Sequence, residues 1–346
     1  MPRYLKNIFS LLLGVCLALA FAAHAFGQNK PPKLPKPPKT KVNTPAPGNN
    51  PPGFFDGNRA TSEKSMIVDA NVAITLCVAQ GDLRINGWHR NEVRVFVKDG
   101  RQFRMDAREK SAETGKVNWL SIRTVVEGRP APLAQCLAGE HIEIDAPIGA
   151  SFDLEAAVAR TSVDSVKKIK ARTRTGVISL RNISGGIDAY TAQGDVIVEN
   201  SGGAIEIEST TGNIVAVEVS PGQIGDLFKA RTNSGTISLQ RVEHRQIHAS
   251  SISGTLLFDG KFLTGGIYTF RTSNGSIMLA IPALSSCTFT TTYGEGEFHS
   301  EIPLKTLTEN KTPRATIVVS RVGKGDATVN LTTSNGSIAI RKQAAP

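Results

Sequence analysis

Ile169-Lys170-Ala171-Arg172-Thr173-Arg174-Thr175-Gly176-Val177-Ile178-Ser179-Leu180 is the stretch that decides the fold. Apolar and polar residues alternate on both sides of Gly176, with Ile169 and Ala171 before it and Ile178 and Leu180 after it. Alternation with period two is the signature of a half-buried strand, so these residues read as two strands meeting at a glycine corner. A hydroxyl residue, Thr173, stands three places before the glycine.

The pattern recurs. Taking Gly176, Gly194, Gly212, Gly235, Gly254, Gly275, Gly294 and Gly336 as anchors, the spacings are 18, 18, 23, 19, 21, 19 and 42 residues. Three residues before them stand Thr173, Thr191, Ser209, Thr232, Ser251, Thr272, Thr291 and Thr333. Two after them the residue is apolar in every copy except at Gly296. Side chains alternate faces along a strand, so the apolar positions face inward and their neighbours outward. One such unit cannot bury its apolar face alone, and stacked units bury it continuously.

Two geometries satisfy the pattern. One is a parallel β-solenoid with one repeat per coil, and the other an antiparallel β-meander with a hairpin at each glycine. Asn274-Gly275 and Asn335-Gly336 are hairpin dipeptides, whereas the other six corners lack Asn. Alanine at the fifth position before the corner, as Ala171, Ala189, Ala230 and Ala249, suits the tapering interior of a coil. The expected fold is therefore all-β, a parallel β-solenoid, about 40 Å long for eight layers. Segments near 218–227, 259–266 and 299–326 should bulge from one edge.

The motif T-x-x-G-x-[IV]-x-[LV], seen in Thr173–Leu180, Thr232–Leu239, Thr272–Leu279 and Thr333–Ile340, resembles a bacterial domain family of unknown function labelled "putative adhesin". The resemblance covers about residues 66–341 and is strongest from 169 onward. It implies a solenoid-like envelope or surface protein, and the family offers no catalytic residues to carry over.

Arg3 and Lys6, the apolar run from Ile8 to Ala23, and Ala23-His24-Ala25 form the three parts of a secretory signal, so residues 1–25 read as a signal peptide. Cleavage is expected after Ala25, with Gly27 as a second position. Residues 26–65 read as a disordered Pro/Lys-rich linker able to touch the membrane periphery or cell wall, 66–150 as an N-terminal β region, and 151–341 as the solenoid repeats. No later stretch approaches the ~20 consecutive apolar residues of a spanning helix.

The net charge of +10 is concentrated at the start of the chain. Two of the cations lie in the signal and five between Lys30 and Lys41, which leaves +3 from residue 54 onward. That excess is too slight for a nucleic-acid surface. Of the cysteines beyond the signal, Cys77 and Cys136 are the expected pair, and Cys287, in an inward slot, a buried thiol. Arg101–Lys116 reads as a loop or short helix.

No catalytic set emerges, and the expected lists of catalytic, cofactor and metal residues are empty. His89, His141, His244, His248 and His299 lack metal-ligand spacing, and no Ser sits in a nucleophile elbow. Glu206 with Glu208, and Glu295 with Glu297 and Glu301, are the carboxylates a glycan-cleaving lyase or hydrolase would need. Glu295-Gly296-Glu297 also suits a calcium site. A plainer account is charge pairing between layers, because the outward pairs run Lys170/Arg172, Asp188/Tyr190, Glu206/Glu208, Lys229/Arg231. The sequence thus reads as an exported, non-enzymatic envelope or surface scaffold that binds a polymer, a polysaccharide or a surface protein. A polysaccharide-acting enzyme and an envelope-stress sensor are the alternatives.

Overall fold

The computed structural model describes residues 60–111, 113–125 and 135–343; the expected signal peptide and linker up to residue 59 lie outside them. Each glycine-centred repeat is a long strand, a corner and a short strand. The long strands are β7 (Lys168–Thr175), β9 (Ile187–Gln193), β11 (Ile205–Thr211), β13 (Leu227–Ser234), β15 (Gln246–Ser253) and β17 (Ile267–Asn274). The short ones are β8 (Ile178–Arg181), β10 (Val196–Glu199), β12 (Ile214–Val219), β14 (Ile237–Val242), β16 (Leu256–Asp259) and β18 (Ile277–Ile281). Long strands pair only with long strands and short with short, in parallel, with the repeat positions in register, as in Thr173↔Thr191 and Ile178↔Val196. This is the parallel solenoid. The meander is excluded, because the two strands flanking each corner pair with other coils and never with each other.

The inward slots form one continuous core, from Ile169 and Ala171 through Phe228 and Ala230 to Val329 and Leu331, all essentially inaccessible to solvent. Two strands cannot close a coil, and the third side escaped the sequence reading. Six residues past the corner stand Asn182, Asn200, Glu218 and Arg241, with φ between +46° and +55°. This left-handed turn brings the next residue inward, and Ile183, Ser201, Val219 and Val242 are buried there.

The glycine corners are dictated by the approach of the layers. From Gly176 through Gly275 the corner φ lies between +139° and +157°. A Cβ built on each would stand only 1.9–2.2 Å from the corner carbonyl oxygen of the layer beneath. The hydroxyl three residues before the glycine serves that same carbonyl. Thr232 Oγ1 donates to the Gly212 oxygen at 3.0 Å, Ser209 to Gly194 at 3.0 Å, Thr272 to Gly254 at 3.0 Å and Thr333 to Gly275 at 2.9 Å. The residue after the glycine completes the corner: the Asp195 carboxylate accepts from Asn213 N–H at 2.7 Å, and Asn213 Oδ1 from Thr236 N–H at 2.9 Å.

Thr173 and Thr291 are buried hydroxyls with no hydrogen-bond partner among the described residues. Thr232→Val strands the Gly212 carbonyl and is expected to cost about 1–3 kcal/mol, whereas Thr173→Val, which strands nothing, is expected to be neutral or stabilising. Urea unfolding of the two variants measures the difference. Equal effects would show that the hydroxyl column does not cap the corners.

Several expectations need correction. The seventh corner is Gly296, not Gly294: Gly296 has φ +125° and stands over the Gly336 carbonyl. Tyr293 therefore occupies the hydroxyl column opposite Thr333, and Thr291 falls in the apolar slot opposite Leu331. Nor do the layers follow chain order. β23 (Ala327–Asn335) and β24 (Ile338–Lys342) stack directly on β17 and β18, and β19 (Cys287–Glu295) and β20 (Phe298–Ser300) lie beyond them. The 299–326 segment is no simple bulge. Its strands β21 (Lys305–Lys311) and β22 (Thr316–Val322) continue the long-strand ladder antiparallel from β19. In the 259–266 segment Phe262 folds inward, 5.1 Å from Phe258 and 4.5 Å from Tyr268 between ring centres.

At the other end, β1 (Ala60–Trp88) begins inside the stretch expected to be linker. It bends at Gly81, φ +143°, and forms a further layer on β6 (Ser151–Asp164), so the stack reaches back before residue 151. β2 (Glu92–Gly100), β4 (Val117–Thr124) and β5 (Leu137–Pro147) close this end. Arg101–Lys116 is neither loop nor helix over half of its length: Phe103–Lys110 forms β3, antiparallel to β4. Cys77 in β1 is disulfide-bonded to Cys136, 59 residues away, and Cys287 is free and buried.

Candidate functional site

The outer face of the long-strand ladder carries the charged residues. Positions six and four before each corner point outward and stack into two columns, Lys170, Asp188, Glu206, Lys229 and Arg172, Tyr190, Glu208, Arg231. Acids lie between bases along the stack, so opposite charges meet where the sign changes, on layers about 4.8 Å apart. Arg172 grips Asp188 with both guanidinium nitrogens at 2.6 and 2.7 Å, Lys229 meets Glu206 at 2.6 Å, and Lys170 meets Asp153 at 3.5 Å. The Asp188 contact holds the Arg172 guanidinium above its usual pKa.

Three depressions lie in line on this face. Glu155, Arg174 and Ala192 border one of about 370 Å³, and it shares Arg172 and Tyr190 with a second of about 400 Å³ that reaches Glu206 and Glu208. A third, of about 570 Å³, begins at Lys229, the ion-pair partner of Glu206, and extends over Arg231, His248 and Ser250 to Arg271. Tyr190 is half-buried, with its hydroxyl 3.4 Å from Thr210 Oγ1. The outer face of the short strands is different. Ile197, Val215, Leu257 and Met278 project there beside Ser179, Ser238 and Gln240, so this face mixes apolar and polar side chains.

The carboxylates proposed for sugar cleavage are not assembled. Glu206 is held by Lys229, and Glu208 lies beside it on the same strand. Glu295 and Glu297 flank the Gly296 corner five layers away, about 24 Å along the stack. Glu301 accepts a hydrogen bond from Lys342 N–H at 3.1 Å. Among the described residues, no three His, Cys, Asp or Glu side chains are grouped as a metal ion would require.

His244 and His248 do not share a face. His248 is exposed on β15, whereas His244 lies in the preceding loop, fully buried, with Nε2 2.8 Å from the Gly203 carbonyl oxygen. Burial lowers its pKa, so the ring is neutral at pH 7 and Nε2 is the donor. Burial likewise pushes the Cys287 thiol up to about 12, which makes it an inert core group.

No curated protein matches the chain. Among solved structures, a putative cell adhesion protein from Clostridium sporogenes is similar at 12% identity and a TM-score of 0.26, over 82% of this chain and 100% of that one. The family model "Toastrack DUF4097" matches residues 216–341, which run from β12 to β24 and contain five of the stacked corners from Gly235 onward. Over those residues the solenoid is similar to the Toastrack domain family of unknown function, in keeping with the resemblance that the repeated glycine corner carries.

Proposed function

We propose that this chain is an exported, non-enzymatic binding scaffold of the cell envelope or surface, and that an extended polymer lies along the outer face of its long strands. The observation that carries this reading is the line of three depressions from Glu155 to Arg271, running along the stack where ligand groups can repeat with the layers. Ion pairing between layers accounts for Asp153, Asp188 and Glu206 without a catalytic role. The Pro/Lys-rich stretch before the solenoid acts as the tether to the envelope.

Cosedimentation of the full chain with insoluble cell-wall glycan tests the reading, with Tyr190→Ala as the variant. Tyr190 sits where two depressions meet, so its loss should reduce retention about fivefold, equivalent to roughly 1 kcal/mol. The thermal midpoint should stay within a few degrees. Retention that ignores Tyr190, or release of reducing ends during incubation, would overturn the proposal.

A further inference from the structure

Beyond β11 the outer face changes character. Across five consecutive layers, β13, β15, β17, β23 and β19, the outward positions six, four and two before the corner hold no Asp or Glu. They carry instead Ser250, Thr269, Asn330, Thr332, Thr290 and Thr292, with Lys229, Arg231, His248 and Arg271 as the basic groups. Lys229 is neutralised by Glu206 of the layer beneath. Arg231 and Arg271 are exposed and have no ion pair among the described residues. They occupy the same column two layers apart, about 9.6 Å, and both line the 570 Å³ depression.

We infer that this carboxylate-free half of the face binds an acidic polysaccharide, with Arg231 and Arg271 each gripping a carboxylate of the polymer and the hydroxyl and amide side chains between and beyond them meeting sugar hydroxyls. The inference rests on the polymer-binding reading above and names its ligand class. A guanidinium presents a planar fork of donors that matches a carboxylate bidentately. Ser, Thr and Asn both donate and accept, as alternating sugar hydroxyls require. Ile252 and Ile267, each about half exposed at 50% and 47%, add apolar surface beside the arginines for the C–H face of a ring. Single-stranded nucleic acid is disfavoured, because it is held by stacking bases on aromatic side chains and the outward positions of these five strands contain no Phe, Tyr or Trp.

Binding of the full chain to polygalacturonate, measured by calorimetry at low and moderate salt, tests the inference. Dextran, polyphosphate and an oligothymidylate serve as comparison polymers. Polygalacturonate should bind more tightly than any of them. The double variant Arg231→Gln/Arg271→Gln should weaken it at least tenfold. Arg108→Gln, which removes an exposed arginine of β3 that borders none of the three depressions, should change it less than twofold. Equal affinity for polyphosphate or oligothymidylate would overturn the inference in favour of unselective charge attraction. Binding of dextran that the arginine variants do not disturb would overturn the ligand class and leave the polymer-binding reading standing. Failure to bind any polymer, together with loss of cell-wall retention, would remove both.

Discussion

Gly235→Ala is expected to destabilise the solenoid by about 4 kcal/mol or more. The residue has φ +152°, and a Cβ there would stand 2.1 Å from the Gly212 carbonyl oxygen and 2.6 Å from its carbon. Both obstacles are backbone, fixed by the ladder hydrogen bonds on either side, so relief requires two layers to part. Gly265→Ala separates the two contributions. Gly265 also has positive φ, +71°, but no atom of the described residues lies within 4 Å of its Cβ position, and the cost should be only about 1–2 kcal/mol. Equilibrium urea unfolding of both variants is the measurement. Equal losses would show that conformation alone, and not the contact between layers, selects glycine at the corners.

The second large effect is expected at the end of the stack nearest β1. The Cys77–Cys136 bond closes a loop of 59 residues and links the β1 layer to the residue just before β5. Restricting the unfolded chain over that length is worth about 4 kcal/mol. Cys77→Ser/Cys136→Ser should lose that amount in urea unfolding, and the unsubstituted protein with reductant should match it. The thiol of Cys287, buried with its pKa near 12, should stay unalkylated under native conditions in every case. A double variant as stable as the unsubstituted protein would assign the stability of this end to packing alone.

The parts of the fold legible in the sequence were those that depend on period two. Inward slots such as Ile207 and Ala230, the hydroxyl column, and the outward acids and bases behind Arg172–Asp188 and Lys229–Glu206 all follow from which face a side chain takes. The same property hid the seventh corner. Sliding the motif by two residues, from Gly296 to Gly294, keeps every side chain on its face, so alternation cannot detect the slip. The third side was missed because its turning residues include Glu218 and Arg241, which carry no turn signal, although Asn182 and Asn200 do. The layer order was hidden because strand alternation says nothing about which layers touch, and the 42-residue gap was its one trace. Within the site, the columns could be read, but the depressions could not, since they depend on how neighbouring layers twist. His244 sits in a loop where no periodicity predicts burial.

The exchange of layer order bears on how the molecule reaches this state. Coils from β6 to β18 can be added one by one as the chain emerges, each on the platform left by its predecessor. β19 and β20 break that rule, because their platform, β23 and β24, is encoded after them. During synthesis, residues 287–322 can pair only among themselves, β19 with β22 and β22 with β21, and have no coil to stack on until residues 327–342 have settled on β17 and β18. The open edge of β18 and the unstacked Thr-rich strand β19 are thus the species most exposed to chaperones and proteases, and the last steps of assembly run backward along the chain.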